Sequence, residues 1–168
     1  MTMTLRGLVM GTAVLLAAVL PSAPTAAARP SNFGWPLDPR PQVVTAFAPP
    51  EHDWLPGHRG VDLAGRNDQT VRAAGDGIVA FAGVVAGKPV VSVEHPNGLR
   101  TTYEPVAASV VEGERVRTGD ALGVLAGGHS GCDGTCLHWG VRRGREYLDP
   151  LALVRTTPVR LKPLGSGL

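Results

Sequence analysis

The residues of this chain whose types and spacing suggest chemistry fall in two short stretches. The first is His58-Arg59-Gly60-Val61-Asp62 and the second is Cys136-Leu137-His138-Trp139. Other familiar chemistries find no support. There is no phosphate-binding loop of the Walker type, and Gly75-Asp76-Gly77 precedes a strand pattern, so it reads as a turn and not as a dinucleotide fingerprint. Ser130 stands between His129 and Gly131 without the strand-to-helix elbow that a nucleophilic serine needs. Metal chemistry remains. Two histidines and one carboxylate, with a coordination position left for water, make up a catalytic zinc site, and His58, Asp62 and His138 supply that composition.

The spacing within each stretch sets conditions. His58 and Asp62 would share a helix face, but Pro56, Gly57 and Gly60 oppose a helix. On a straight strand they would share a face about 13 Å apart, too far to grip one ion. A bulge or kink at Gly60 would bring them together; the simpler alternative is a turn in which the two side chains only hydrogen-bond. In the second stretch, strand alternation sends Cys136 and His138 to one face and Leu137 and Trp139 to the other, so the apolar pair enters a core while His138 is offered outward by a rigid element.

The elements that must position these groups are predicted to be short strands. With 22 glycines and 15 prolines in 168 residues, long helices are disfavoured and tight connections favoured. Hydrophobic residues at 43% permit a core, while 18% charged residues and a net charge of +2 exclude a disordered polyelectrolyte and give no nucleic-acid footprint. Residues 1–28, with Arg6, the uncharged run Gly7 to Leu20 and Ala26-Ala27-Ala28, read as a secretory signal peptide; the run is too short to span a membrane. An exported chain with no stable membrane anchor follows, its two cysteines in an oxidising compartment.

Residues 29–57 read as a Pro-rich arm with one strand at Val43 to Phe47, and residues 58–155 as the β core. Strands are expected at Thr70 to Ala73, Gly77 to Val85, Pro89 to His95, Gly98 to Tyr103, within Val110 to Leu125, and at Cys136 to Arg142. Asn97-Gly98 signals a hairpin. A helical turn is expected around Asp149-Pro150-Leu151, and residues 156–168 form a surface tail. The fold class is all-β, an antiparallel sandwich or partly open barrel.

Taken together, His58-x-x-x-Asp62 in His-Arg-Gly-Val-Asp-Leu-Ala, the Gly-rich β region and the later Leu137-His138-Trp139 strand resemble the lysostaphin/LytM-type zinc metallopeptidases, which cut peptide cross-bridges of bacterial peptidoglycan. Val71-x-Ala73-Ala74-x-x-Gly77-x-Val79, Val91-x-Val93-x-His95-x-x-Gly98 with Thr101-Thr102-Tyr103, and Gly113-x-x-Val116-x-x-Gly119-x-x-Leu122-Gly123 carry the resemblance between the motifs, over about Trp35 to Val154. It implies a twisted antiparallel sheet with a groove, of the LytM-like duplicated hybrid motif type. It also implies Zn2+ held by His58, Asp62 and His138.

Two positions depart from the family pattern. Cys136 replaces the first histidine of the usual His-x-His pair, and Pro105 replaces that of Tyr-x-His; the family uses these two imidazoles to activate water and stabilise the oxyanion. Tyr103, lining the groove, and His129, in a loop before the last motif, are the remaining candidates for catalytic roles. His52 is a further loop histidine, and His95 reads as structural. Cys132 and Cys136, around Asp133-Gly134-Thr135, are expected to form a disulfide that braces the strand presenting His138; a Cys136 thiolate closing the metal site is the alternative. The expected function is a secreted zinc endopeptidase acting on peptidoglycan cross-links. Its alternative is a catalytically impaired wall-binding module that controls a separate cell-wall hydrolase.

Overall fold

The computed structural model describes residues 33–52, 54–127, 132 and 134–154. The proposed signal peptide, His129 and the C-terminal tail lie outside the described residues. Eleven strands and one short helix are described in chain order: β1 Val43–Thr45, β2 Gly60–Ala64, β3 Thr70–Arg72, β4 Gly77–Val85, β5 Lys88–Glu94, β6 Leu99–Glu104, β7 Val106–Ala108, β8 Arg115–Val116, β9 Ala121–Leu125, β10 Cys136–Arg143, β11 Glu146–Leu148 and α1 Leu151–Val154. The larger sheet runs β1-β2-β10-β6-β5-β4-β8, with β11 also on β10, and the smaller runs β3-β9-β7. All pairings are antiparallel. The all-β expectation holds.

The local signals behave as their chemistry dictates. Gly98 takes the left-handed conformation (φ 77°) between β5 and β6, and the Asn97 side chain accepts from the Leu99 N–H, so Asn97-Gly98 makes the expected hairpin turn. Asp149 accepts from the Leu151 N–H and Pro150 follows it, which starts α1. Strand β7 carries no such signal. Its Val-Ala-Ala sequence is weakly β-forming, and pairing with β9 at Val106↔Leu125 and Ala108↔Gly123 makes it a strand.

The core is built by alternation on the central strands. On β10, Leu137, Trp139 and Val141 are buried at 0–1% exposure, and on β2 Val61 and Leu63 are fully buried. Residues of the N-terminal arm contribute too. Leu37 is 1% exposed, Trp35 packs 6.4 Å from the Trp139 ring, and the Pro36 carbonyl accepts from the Arg72 N–H at 2.9 Å. With its inner face filled, the larger sheet carries His138, Gly140 and Arg142 of β10 on its other face.

A polar chain crosses the core. The Thr101 hydroxyl lies 2.8 Å from His95 Nε2 and 2.9 Å from the Tyr103 hydroxyl, the Ala74 N–H donates to Tyr103, and His95 Nδ1 donates to the Asp76 carbonyl. Burial lowers the His95 pKa, which keeps the ring neutral. Thr101→Val keeps the shape but strands two buried partners, and is expected to cost about 2–3 kcal/mol in denaturant titration. Because the unfolded chain takes up this proton more readily, stability should fall as pH drops below the ordinary value of 6.5. His95→Gln should flatten that part of the stability profile.

Candidate metal centre

The larger sheet joins the two motifs. In the β2–β10 register His138 lies directly opposite Asp62, and antiparallel partners share a face with Cβ atoms about 4.5–5.5 Å apart. His58 precedes β2 and is held by an isolated bridge to Ala48. Its Nδ1 donates to the Ala46 carbonyl at 2.7 Å, leaving Nε2 to point at the other two residues. The backbone of the arm thereby selects the His58 tautomer.

Three donor atoms meet as a result. His58 Nε2 is 3.0 Å from Asp62 Oδ1 and 3.1 Å from His138 Nδ1, and His138 Nδ1 is 3.0 Å from Asp62 Oδ1. Asp62 is 3% exposed, while the two imidazoles remain partly accessible. With both rings neutral, a proton on His138 Nδ1 can serve two edges of this triangle but leaves His58 Nε2 and Asp62 Oδ1 as two lone pairs in contact. A cation satisfies all three at once. Bonds of 2.0–2.1 Å in a tetrahedral site place donors about 3.3 Å apart, close to the observed edges, so these residues fit a small divalent metal.

Gly60 has a further task beside the bend expected of it. Strand β2 pairs with β10 without a shift from Gly60 to Ala64, and one irregularity lies on β1, between Val43 and Thr45. A Cβ on Gly60 would stand 2.7 Å from His138 Nε2 and 2.5 Å from the Trp139 carbonyl. Glycine is required so that the His138 ring can lie over it. Asp62 pairs with Thr45 and His58 with Ala48, so the stretch from His58 to Asp62 holds one residue more than the facing stretch from Thr45 to Ala48, an irregularity between the two donors of the kind the spacing requires.

The other candidates separate clearly. Tyr103 does not line a groove: it faces Trp139 across β6 and β10, is fully buried, and has its hydroxyl pKa pushed up to about 12, chiefly by burial. Strand alternation requires this, because His138 pairs with Glu104 and the neighbouring pair must face the core. His52 is an exposed loop residue stacked on Trp54 with ring centroids 4.7 Å apart. Cys132 and Cys136 form a disulfide with a Cα separation of 6.2 Å, so Cys136 is no thiolate ligand. The Thr135 carbonyl accepts from the Gly65 N–H and the Thr135 hydroxyl donates to Asn67, anchoring the start of β10 beside β2. Pro105 is buried at the β6–β7 corner, where its carbonyl accepts from Ala126.

A model of peptidase family M23 matches residues 56–150, which includes all three donor residues and most of the described strands. The chain belongs to peptidase family M23. The chain is 52% identical over 158 residues to an uncharacterized protein of Mycobacterium tuberculosis, a match covering 91% of this chain and 63% of that relative. It is 31% identical over 108 residues to the DD-carboxypeptidase/endopeptidase Mpg of Neisseria meningitidis, over 64% of this chain and 25% of Mpg. The chain thus spans less than two thirds of these relatives' length. Among solved structures, Helicobacter pylori Csd3 superposes with a TM-score of 0.61 at 28% identity, over 77% of this chain and 36% of Csd3. Among the described residues of the M23 domain, no helix is long and apolar enough to cross a membrane.

Sequence reasoning missed one set of residues on the open face. Arg142 and Tyr147 are cross-strand partners on β10 and β11, and Arg59 and Arg145 line the same recess. The run Arg142-Arg143-Gly144-Arg145 was a visible signal. Its proximity to Arg59 was not, since that depends on how β2 and β11 follow one another along β10.

Proposed function

We propose that this M23 domain is a zinc-dependent metalloendopeptidase-like unit that acts on the peptide cross-links of bacterial peptidoglycan outside the cytoplasm. The observation that carries this reading is the triangle of His58 Nε2, Asp62 Oδ1 and His138 Nδ1, with edges of 3.0–3.1 Å and one imidazole tautomer preset by a backbone carbonyl. Zinc held by these three residues supplies carbonyl polarisation and a water whose pKa lies towards about 7. The similarity to Mpg supports a cell-wall peptide as substrate. The apolar run from Gly7 to Leu20 supports export.

The chain's own residues define how far the chemistry is assisted. His58, Asp62 and His138 hold the metal, and Ala46 orients His58. Neither Pro105 nor the disulfide-bonded Cys136 can move a proton. Loss of a positioned acid or base typically costs about 100- to 10,000-fold in rate. Turnover is therefore expected to be slower by that order than in a relative with imidazoles at both positions. These same two residues favour a second reading, a wall-binding module that governs a separate hydrolase.

Digestion separates the two. Purified protein incubated with peptidoglycan, with and without zinc, is expected to release fragments with new amine termini, slowly and only with metal, as read by mass analysis. No new termini at high protein concentration, together with co-sedimentation on intact peptidoglycan, would leave the binding module. Neither cleavage nor co-sedimentation would remove both readings.

A further inference from the structure

The open sheet face that bears the His58–Asp62–His138 triangle carries a second feature. Arg59, Arg142, Arg145 and Tyr147 converge on a recess of about 430 Å³. Arg142 lies four residues along β10 from His138, in unshifted register, so it stands on the same face at about 13 Å. Tyr147 is its cross-strand partner and shares that face. The Arg59 guanidinium sits over the Tyr147 ring at 5.7 Å, which fixes a planar cation beside an aromatic wall. Arg59 also donates to the Leu55 carbonyl and Arg142 to the Gly144 carbonyl, so two of the three guanidiniums are braced by backbone.

A smaller adjoining recess is lined by Pro49, Pro50, Glu146 and the shared Arg59, Arg145 and Tyr147. Glu146 lines only the smaller one; among the described residues, those lining the larger one are three arginines and Tyr147. Guanidinium forks are suited to bidentate recognition of carboxylates, and an aromatic wall suits the flat backbone next to one.

We infer that the Arg59–Arg142–Arg145–Tyr147 recess is a carboxylate-binding subsite that receives the free carboxylate of a peptide laid along β10, with the bond to be attacked over the metal triangle. An extended peptide rises about 3.3 Å per residue, so the carboxylate belongs about four residues from that bond. The subsite deepens the peptidase reading and rests on it for the direction of the peptide, but carboxylate capture itself requires no metal.

The test uses fluorescein-labelled penta-alanine with a free C-terminal carboxylate and its C-terminal amide, titrated against the full chain by anisotropy in EDTA and again with zinc. The acid is expected to bind about 10- to 100-fold more tightly than the amide in both conditions. Arg142→Ala and Arg145→Ala should each reduce this preference, and the double variant should abolish it, with zinc affinity and thermal midpoint unchanged. Arg145 lies in an exposed turn, so its variant remains informative if Arg142→Ala is unstable. Equal binding of acid and amide by the wild type overturns the inference, as does a preference that survives the double variant. Displacement of the peptide acid by inorganic phosphate at lower concentration than by unlabelled penta-alanine would assign the recess to free oxyanions and also overturn it. A preference present in EDTA without any hydrolysis of peptidoglycan would keep the subsite and reject the peptidase reading.

Discussion

Gly60→Ala is expected to cost the protein its metal centre although it alters none of the three donor residues. The added Cβ would lie 2.5 Å from the Trp139 carbonyl, 2.7 Å from His138 Nε2 and 2.8 Å from His138 Cε1. None of these distances is tolerable between non-bonded heavy atoms. Relief requires either that β2 and β10 part at the Gly60↔Gly140 pair or that the His138 ring leaves its place. Both move Nδ1 out of a triangle whose edges are only 3.0–3.1 Å. Changes to groups that merely orient metal ligands cost 10- to 100-fold in affinity; displacing a donor itself should cost at least about 100-fold. Overpacking should also lower stability by about 1–3 kcal/mol. Competition against a chromophoric chelator measures the first effect and denaturant titration the second. Zinc affinity equal to wild type in a folded Gly60→Ala protein would refute the role assigned to this glycine.

His138→Ala should abolish zinc-linked stabilisation. A ligand that binds only the folded state stabilises it by RT ln(1 + [L]/Kd), about 4 kcal/mol when free zinc exceeds Kd a thousandfold. In a domain of this size that corresponds to a shift of the thermal midpoint on the order of 10 °C. EDTA is therefore expected to lower the midpoint of the wild type and leave that of His138→Ala unchanged. His138 is only partly buried, with a side-chain exposure of 20%, so its truncation should leave the core intact and the apo proteins comparable. Equal zinc content in the two purified proteins, or an equal response to EDTA, would show that the His58–Asp62–His138 triangle is not the metal site.

Much of the molecule was legible from local chemistry. Glycine and proline placement marked the connections, Asn97-Gly98 made a turn because glycine tolerates its positive φ, and Leu137-His138-Trp139 alternated as a strand must. Tyr103 shows the limit. Its neighbourhood in the chain fits a groove residue, but the face it occupies follows from register, and pairing opposite Trp139 sends it into the core. Strand β7 was silent because its pairing with β9 and not its composition makes it extended.

Residue types and short-range spacing by themselves determined an all-β chain, the identity of the three metal-donor candidates, the absence of imidazole at positions 105 and 136, and a cysteine pair close enough to bridge. These depend on side-chain chemistry and on torsional preferences that act within a few residues. Only the tertiary structure decided that His138 meets Asp62 across 76 residues of chain, that the Ala46 carbonyl orients His58, that Gly60 is a seat for the His138 ring, and that Arg59 joins Arg142, Arg145 and Tyr147 on the same face as the triangle. Each of these depends on which strands pair and in what register. That choice is made by the burial of Trp139, Tyr103, Leu63 and their neighbours as one core, a cooperative quantity that no local stretch of sequence contains.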